Sequence, residues 1–153
     1  MDKTINGESV NDIYLGLCNI CDYGQNIDLL NAYERTIFIT QELENEVNNG
    51  GFSQFFDNSS GQFAYEIVQA FSIIGAVKTA EICAKAVGAF KHKLPTDWEE
   101  RRALLDKIED EGVASILEAC DNAFYECEED LESLNAEYIR NNIEHFNFSI
   151  LDV

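Results

Sequence analysis

From Asp28 to Asn49 the chain runs for 22 residues without a glycine or proline, "DLLNAYERTIFITQELENEVNN". Leu29, Leu30, Tyr33, Ile37, Leu43 and Val47 recur there at helical spacing. A segment of that length and period makes an amphipathic helix about 30 Å long, enough to be the spine of a domain. Asp28 is placed to cap its start, and the helix is expected to stop near Asn49. Gly50 and Gly51 follow, offering the positive φ values that helix ends and tight turns use.

The rest of the chain repeats this pattern in shorter pieces. "NDIYLGLCNIC" sets Ile13, Leu17 and Ile20 three or four apart, a short helix closed by "DYGQN". After the glycines, Ser59 or Ser60 can cap a helix whose buried stripe is Phe63, Ile67, Ala70, Phe71 and Ile74. Gly75 breaks it, and "AVKTAEICAKAVGAFK" turns Val77, Ala80, Cys83, Ala84 and Val87 inward, giving an αα-hairpin. Thr96 or Asp97 caps a further helix, Ile116, Leu117, Cys120 and Phe124 mark the next, and Tyr138, Ile139, Ile143 and Phe146 the last. No segment alternates as a strand does, no period repeats, and proline occurs once. The expectation is an all-α fold, a single compact domain of several antiparallel helices around one long central helix. At 153 residues the chain can bury a core without staples.

Charge narrows the function. Twenty-nine acidic side chains against ten basic leave a net −19, and the imbalance is uneven. Residues 97–153 carry 17 Asp or Glu and four Arg or Lys, whereas residues 1–96 carry 12 and six. Such a field repels nucleic acid and anionic membranes and attracts basic proteins. The acids gather in two groups: Asp106, Glu109, Asp110 and Glu111, then Glu126, Glu128, Glu129, Asp130, Glu132 and Glu137. A solvated surface, a protein-binding face and paired carboxylates for acid–base work are all open to such groups. Their spacing places most of them on solvated faces.

Other chemistry finds little support. His92 and His145 form no HExxH pair, and there is no phosphate-binding glycine loop and no GxSxG elbow. Cys18 and Cys21 make one CxxC without a second, so a buried core role competes with metal or redox use. Cys120 and Cys127 lie two helical turns apart. The stretch "DNSSGQFAYE" fails as a calcium loop, because Gly61 at the sixth position would put Ile67 at the twelfth. The N-terminal residues show no basic-then-apolar leader and nothing reaches membrane-spanning length, so reduced thiols in the cytoplasm are expected.

The stretch "ELENEVNNGGFSQFFDNSSG", continuing through Ala70, Ile74, Gly75, Ala76, Ala80 and Ala86 to Phe90, resembles a bacterial family whose characterised type is a DNA-mimic protein. A weaker echo follows in "DLESLNAEYIRNNIEHF". The shared core is NGGFxQFFxNxxG: Asn49, Gly50, Gly51, Phe52, Gln54, Phe55, Phe56, Asn58 and Gly61. Residues 1–27 lie outside the resemblance, and 28–146 form the family-like helical core. The resemblance implies an all-helical, non-enzymatic domain with no cofactor and no catalytic residue. It also implies an acidic surface that occupies the DNA-binding face of a regulator. The partner is then a basic, DNA-binding protein, and a homodimer is open. An inhibitor of a basic toxin, or a helical domain whose acidity serves solubility alone, are the alternatives.

The motif has a reading of its own. Gly50 and Gly51 turn the chain, the three rings plug the gap between helices, and Asn49, Gln54 and Asn58 satisfy backbone groups the turn leaves unpaired. The competing reading is a ligand-binding loop on a rigid scaffold.

Overall fold

A computed structural model of the chain describes residues 5–147, and among these it is all-helical with no strand. The helices are α1 (Gly7–Cys21), α2 (Ala32–Asp57), α3 (Ile67–Ile73), α4 (Val77–Gly88), α5 (Trp98–Lys107), α6 (Val113–Glu126) and α7 (Leu131–Asn141). Short 3₁₀ turns at Ile27–Leu29, Ser59–Phe63 and Ile143–His145 join them. The long helix α2 is the spine. It packs against α1, α3, α5 and α6, while α3 lies on α4, α4 on α6, and α1 on α7.

The spine begins later and runs further than its sequence suggests. Asp28 does not cap it, because Ile27–Leu29 is a 3₁₀ turn and Leu30 is extended. Asn31 is the cap: its side chain accepts the Glu34 amide while Glu34 accepts the Asn31 amide, a reciprocal box that fixes the start. Leu29 is therefore left 64% exposed, off the buried stripe. At the other end the helix does not stop at Asn49. Gly50 and Gly51 interrupt it with non-helical backbone, and it resumes through Phe52 to Asp57.

Elsewhere the register shifts by small amounts. Ser59 and Ser60 cap nothing; the Ser60 hydroxyl donates to the Phe55 carbonyl instead. On α4 the inward face is Thr79, Ala80, Cys83 and Ala86, leaving Val77 and Ala84 exposed. Ile116 and Ile143 also face solvent, the second because α7 has ended before it. Asp97 is the cap of α5, as its side chain accepts the Glu100 amide. One continuous apolar core runs from Ile5 to Phe146 and includes α1 residues such as Leu17 and Cys18, so α1 is built into the same interior.

Candidate functional site: an acidic seam between α2 and α6

Helices α2 and α6 lie antiparallel, and three contacts fix their register. The Tyr125 hydroxyl donates to the Val47 carbonyl at 2.7 Å, the Phe52 amide donates to the Asp121 carboxylate at 2.7 Å, and the Phe52 and Phe124 rings meet edge to face. A hollow opens at each end of this seam.

The motif builds its centre. Of the pair, Gly51 takes the positive φ, +81°, while Gly50 sits at φ −157° and ψ 15°, outside the helical region. A Cβ on Gly51 would run into the Asp121 carboxylate, so the position needs glycine for space as well as for φ. The break in α2 exposes a new helix start, and Asp121 caps it from another helix. Phe52, Phe55 and Phe56 are at most 1% exposed; Phe52 stacks on Phe56, and edge-to-face contacts join Phe55 to Phe56, Phe56 to Phe90 and Phe52 to Phe124. The polar motif residues do not satisfy the backbone, contrary to expectation. Gln54 and Asn58 both donate to the Glu46 carboxylate, at 2.7 and 3.0 Å, and Asn49 donates to Gln54. They brace the two halves of α2 across the kink.

The corner's loose carbonyls are met by Arg101, fully buried on α5. Its guanidinium donates to the carbonyls of Phe56, Asn58, Pro95 and Thr96 at 2.6 to 3.1 Å. Gly61 is required beside it, since a Cβ there would strike the Phe56 carbonyl and Arg101. Burial lowers the Arg101 pKa, with Asp57 and Asp97 opposing that shift. Nothing in the sequence singled out Arg101, because an arginine in a charged helix looks solvated until the fold closes over it.

One hollow, of about 440 Å³, lies between Glu44 and Asn48 of α2, the end of α6 and the start of α7. Glu129, Asp130 and Glu132 also line it. Glu44 was not among the expected acids, yet burial first, and then Glu132 and Asp130, push its carboxyl above the ordinary range. These side chains therefore share one electrostatic environment. The signal available in sequence was the spacing of Glu42, Glu44 and Glu46, which on a helix sets Glu44 opposite the other two without saying what it faces.

The expected acidic residues divide into two kinds. Glu126, Glu128, Glu132 and Glu137 are exposed, as are Asp106, Glu109, Asp110 and Glu111 around the end of α5. Glu129 and Asp130 are built into the fold. Glu129 accepts the Lys78 and Thr79 amides and the Thr79 hydroxyl at 2.7 to 3.0 Å, capping α4. Burial opposes its charge, but these hydrogen bonds outweigh burial and hold the carboxyl below its ordinary range. Asp130 caps α7 through the Ser133 hydroxyl and amide, which lower its pKa.

The two acidic groups sit at opposite ends of α6. Its 14 residues separate them by about 20 Å, more than half of the roughly 34 Å turn of duplex DNA. Lys78 and Lys85 share a hollow with Glu126 and Glu128, so negative charge is least diluted on the Glu44, Asp130 and Glu132 side. His92 lies 3.5 Å from Glu111. Cys18 and Cys21 are buried in the core, and burial drives the Cys18 thiol up to about 11. Among the described residues no group of three or more His, Cys, Asp or Glu is placed to hold a metal ion, and no helix is long and apolar enough to cross a membrane.

Fold and surface together define an all-helical domain that carries its acids at both ends of one helix seam. The chain belongs to the DMP19-like protein family, whose model matches residues 28–142, from the turn before α2 to the end of α7. The match leaves α1 outside it. Neither the curated proteins nor the solved structures contain a match to this chain.

Proposed function

We propose that the protein is a non-enzymatic acidic binding protein that occupies the DNA-binding surface of a basic protein, such as a transcriptional regulator. The observation that carries this reading is the anchoring of the acids. Glu129 and Asp130 are fixed as helix caps, so Glu126, Glu128 and Glu132 project from a backbone that is already ordered. Carboxylates held in place lose less conformational entropy on binding than carboxylates on a flexible tail. A basic groove reader meets about one phosphate per 1.7 Å of duplex axis, and the two acidic groups present their carboxylates to it from the two ends of α6, about 20 Å apart. Family membership is compatible with this role.

The test is affinity capture on the immobilised protein from lysate of its native cell at low salt. Parallel elutions use salt and duplex DNA. The expected result is a basic DNA-binding protein released by both. Absence of any salt-released basic protein would reject the reading and leave the charge to solubility. A basic partner that duplex DNA does not displace would reject mimicry in favour of an inhibitor that covers some other basic surface.

A further inference from the structure

At the other end of the α2–α6 seam lies a groove of about 510 Å³. Phe56, Phe90, Leu105, Ile108 and Leu117 form its floor, and Asp57 and Glu109 stand among its lining residues. Asp57 has Arg102 at 3.3 Å, while Glu109 is exposed and is followed by Asp110 and Glu111. The volume is within the range of pockets that bury a ligand or several side chains. Apolar walls beside the exposed Glu109 carboxylate suit an occupant that is apolar at its tip and cationic at its flank.

We propose that this groove takes an apolar anchor side chain of the basic partner, with neighbouring Lys or Arg residues paired to Glu109 and the adjacent acids. The proposal rests on the acidic-binder reading above and adds to it a source of selectivity. Charge alone attracts any basic protein and weakens with salt, as phosphate contacts do on DNA. An apolar anchor is insensitive to salt screening and distinguishes partners by shape. Duplex DNA presents no such apolar pocket to the partner, so the groove offers a contact that a mimic can make and DNA cannot.

Two peptide probes of equal length and equal lysine content test this, one an amphipathic helix of Lys and Leu, the other of Lys and Ser. Binding is read by fluorescence anisotropy at low and high salt. The Lys–Leu peptide should bind about tenfold more tightly, the scale of burying one leucine, and that excess should persist at high salt. Ala114→Trp, an exposed α6 position lining the groove, should abolish the excess without changing binding of the Lys–Ser peptide. Ser53→Trp blocks the groove from α2 and serves if the first variant fails to fold. Glu109→Gln should weaken both peptides. Equal binding of the two peptides, or an excess that survives Trp substitution, would overturn the groove assignment while leaving the acidic-binder reading intact. Failure of both peptides to bind at low salt would overturn the two together. Dimerisation that Ala114→Trp abolishes, measured by sedimentation, would assign the groove to a second copy and overturn the proposal.

Discussion

The Asp121 carboxylate accepts the amide proton of Phe52 at 2.7 Å, so a residue 69 positions further along the chain caps the restart of α2 after its kink. This bond links the motif corner to α6, and with it the spine to the helix that separates the acidic groups. Asp121→Ala should cost about 1–2 kcal/mol, the usual loss on removing a helix cap, and Asp121→Asn should cost less because its amide oxygen can still accept. Urea denaturation decides it; an alanine variant as stable as the parent would show that the packing of the rings alone holds the corner.

Phe55 is fully buried beneath that corner. Phe55→Ala should lose about 3–5 kcal/mol by transfer and cavity costs together. A loss below about 1 kcal/mol is less than the transfer cost alone and would contradict the burial of the ring.

Arg101→Met keeps much of the side-chain volume but abandons four carbonyls. The cost should reach about 3 kcal/mol or more, since each buried acceptor left unpaired carries its own desolvation penalty. Arg101→Lys should recover only part of this, as one ammonium cannot span the four acceptors. Thermal unfolding of the pair tests the assignment.

Glu128 and Glu129 are adjacent in sequence and opposite in role. Glu129→Gln should lower stability by about 1 kcal/mol, because the carboxylate caps α4 through three hydrogen bonds. Glu128→Gln should leave the melting temperature unchanged. Partner binding should respond to neutralising Glu44, Glu128 and Glu132 together, with a shallower salt dependence. A shifted melting temperature for Glu128→Gln would show that it, too, is structural.

Stability should also depend on pH in a defined direction. Burial raises Glu42, Glu44 and Asp121 above their ordinary values of 4.5, 4.5 and 3.8. An acid raised in the fold contributes stability that is complete below its unfolded pKa and is lost as pH rises through its folded pKa. Glu129 and Asp130 are lowered, so their contribution is present above the ordinary value and lost as pH falls through the folded one. The melting temperature should therefore rise as pH falls from 7 towards about 5 and decline at more acidic pH. Glu42→Gln, which retains an acceptor for the Tyr14 hydroxyl at 2.7 Å, should flatten part of the rise. Calorimetry between pH 4 and 8 checks the sign, and a melting temperature that climbs steadily from 5 to 8 would contradict it.

Much of the helical architecture was legible in the chain because helix periodicity is local. Leu17, Ile37, Leu43, Val47, Ile67, Phe71, Leu117 and Ile139 announce their buried faces by spacing alone, and Asp97 announces a cap. Boundaries were less legible. Asp28 and Asn31 are both good caps, and only the reciprocal bond with Glu34 separates them. The long helix could be read as ending at Gly50 because a glycine pair usually ends one. Its restart depends on Asp121, which no local pattern connects to Phe52.

What the sequence by itself determined is the class of fold, the excess of negative charge and the presence of the glycine–phenylalanine corner, since each depends on residue type and near-neighbour spacing. Only the tertiary structure decided which acids are free and which are caps, that Glu44 joins Asp130 and Glu132, that Arg101 is interior, and that α6 sets the two acidic groups about 20 Å apart. The physical reason is that hydrogen-bond partners, burial and electrostatic proximity arise between helices distant in the chain, where periodicity carries no information.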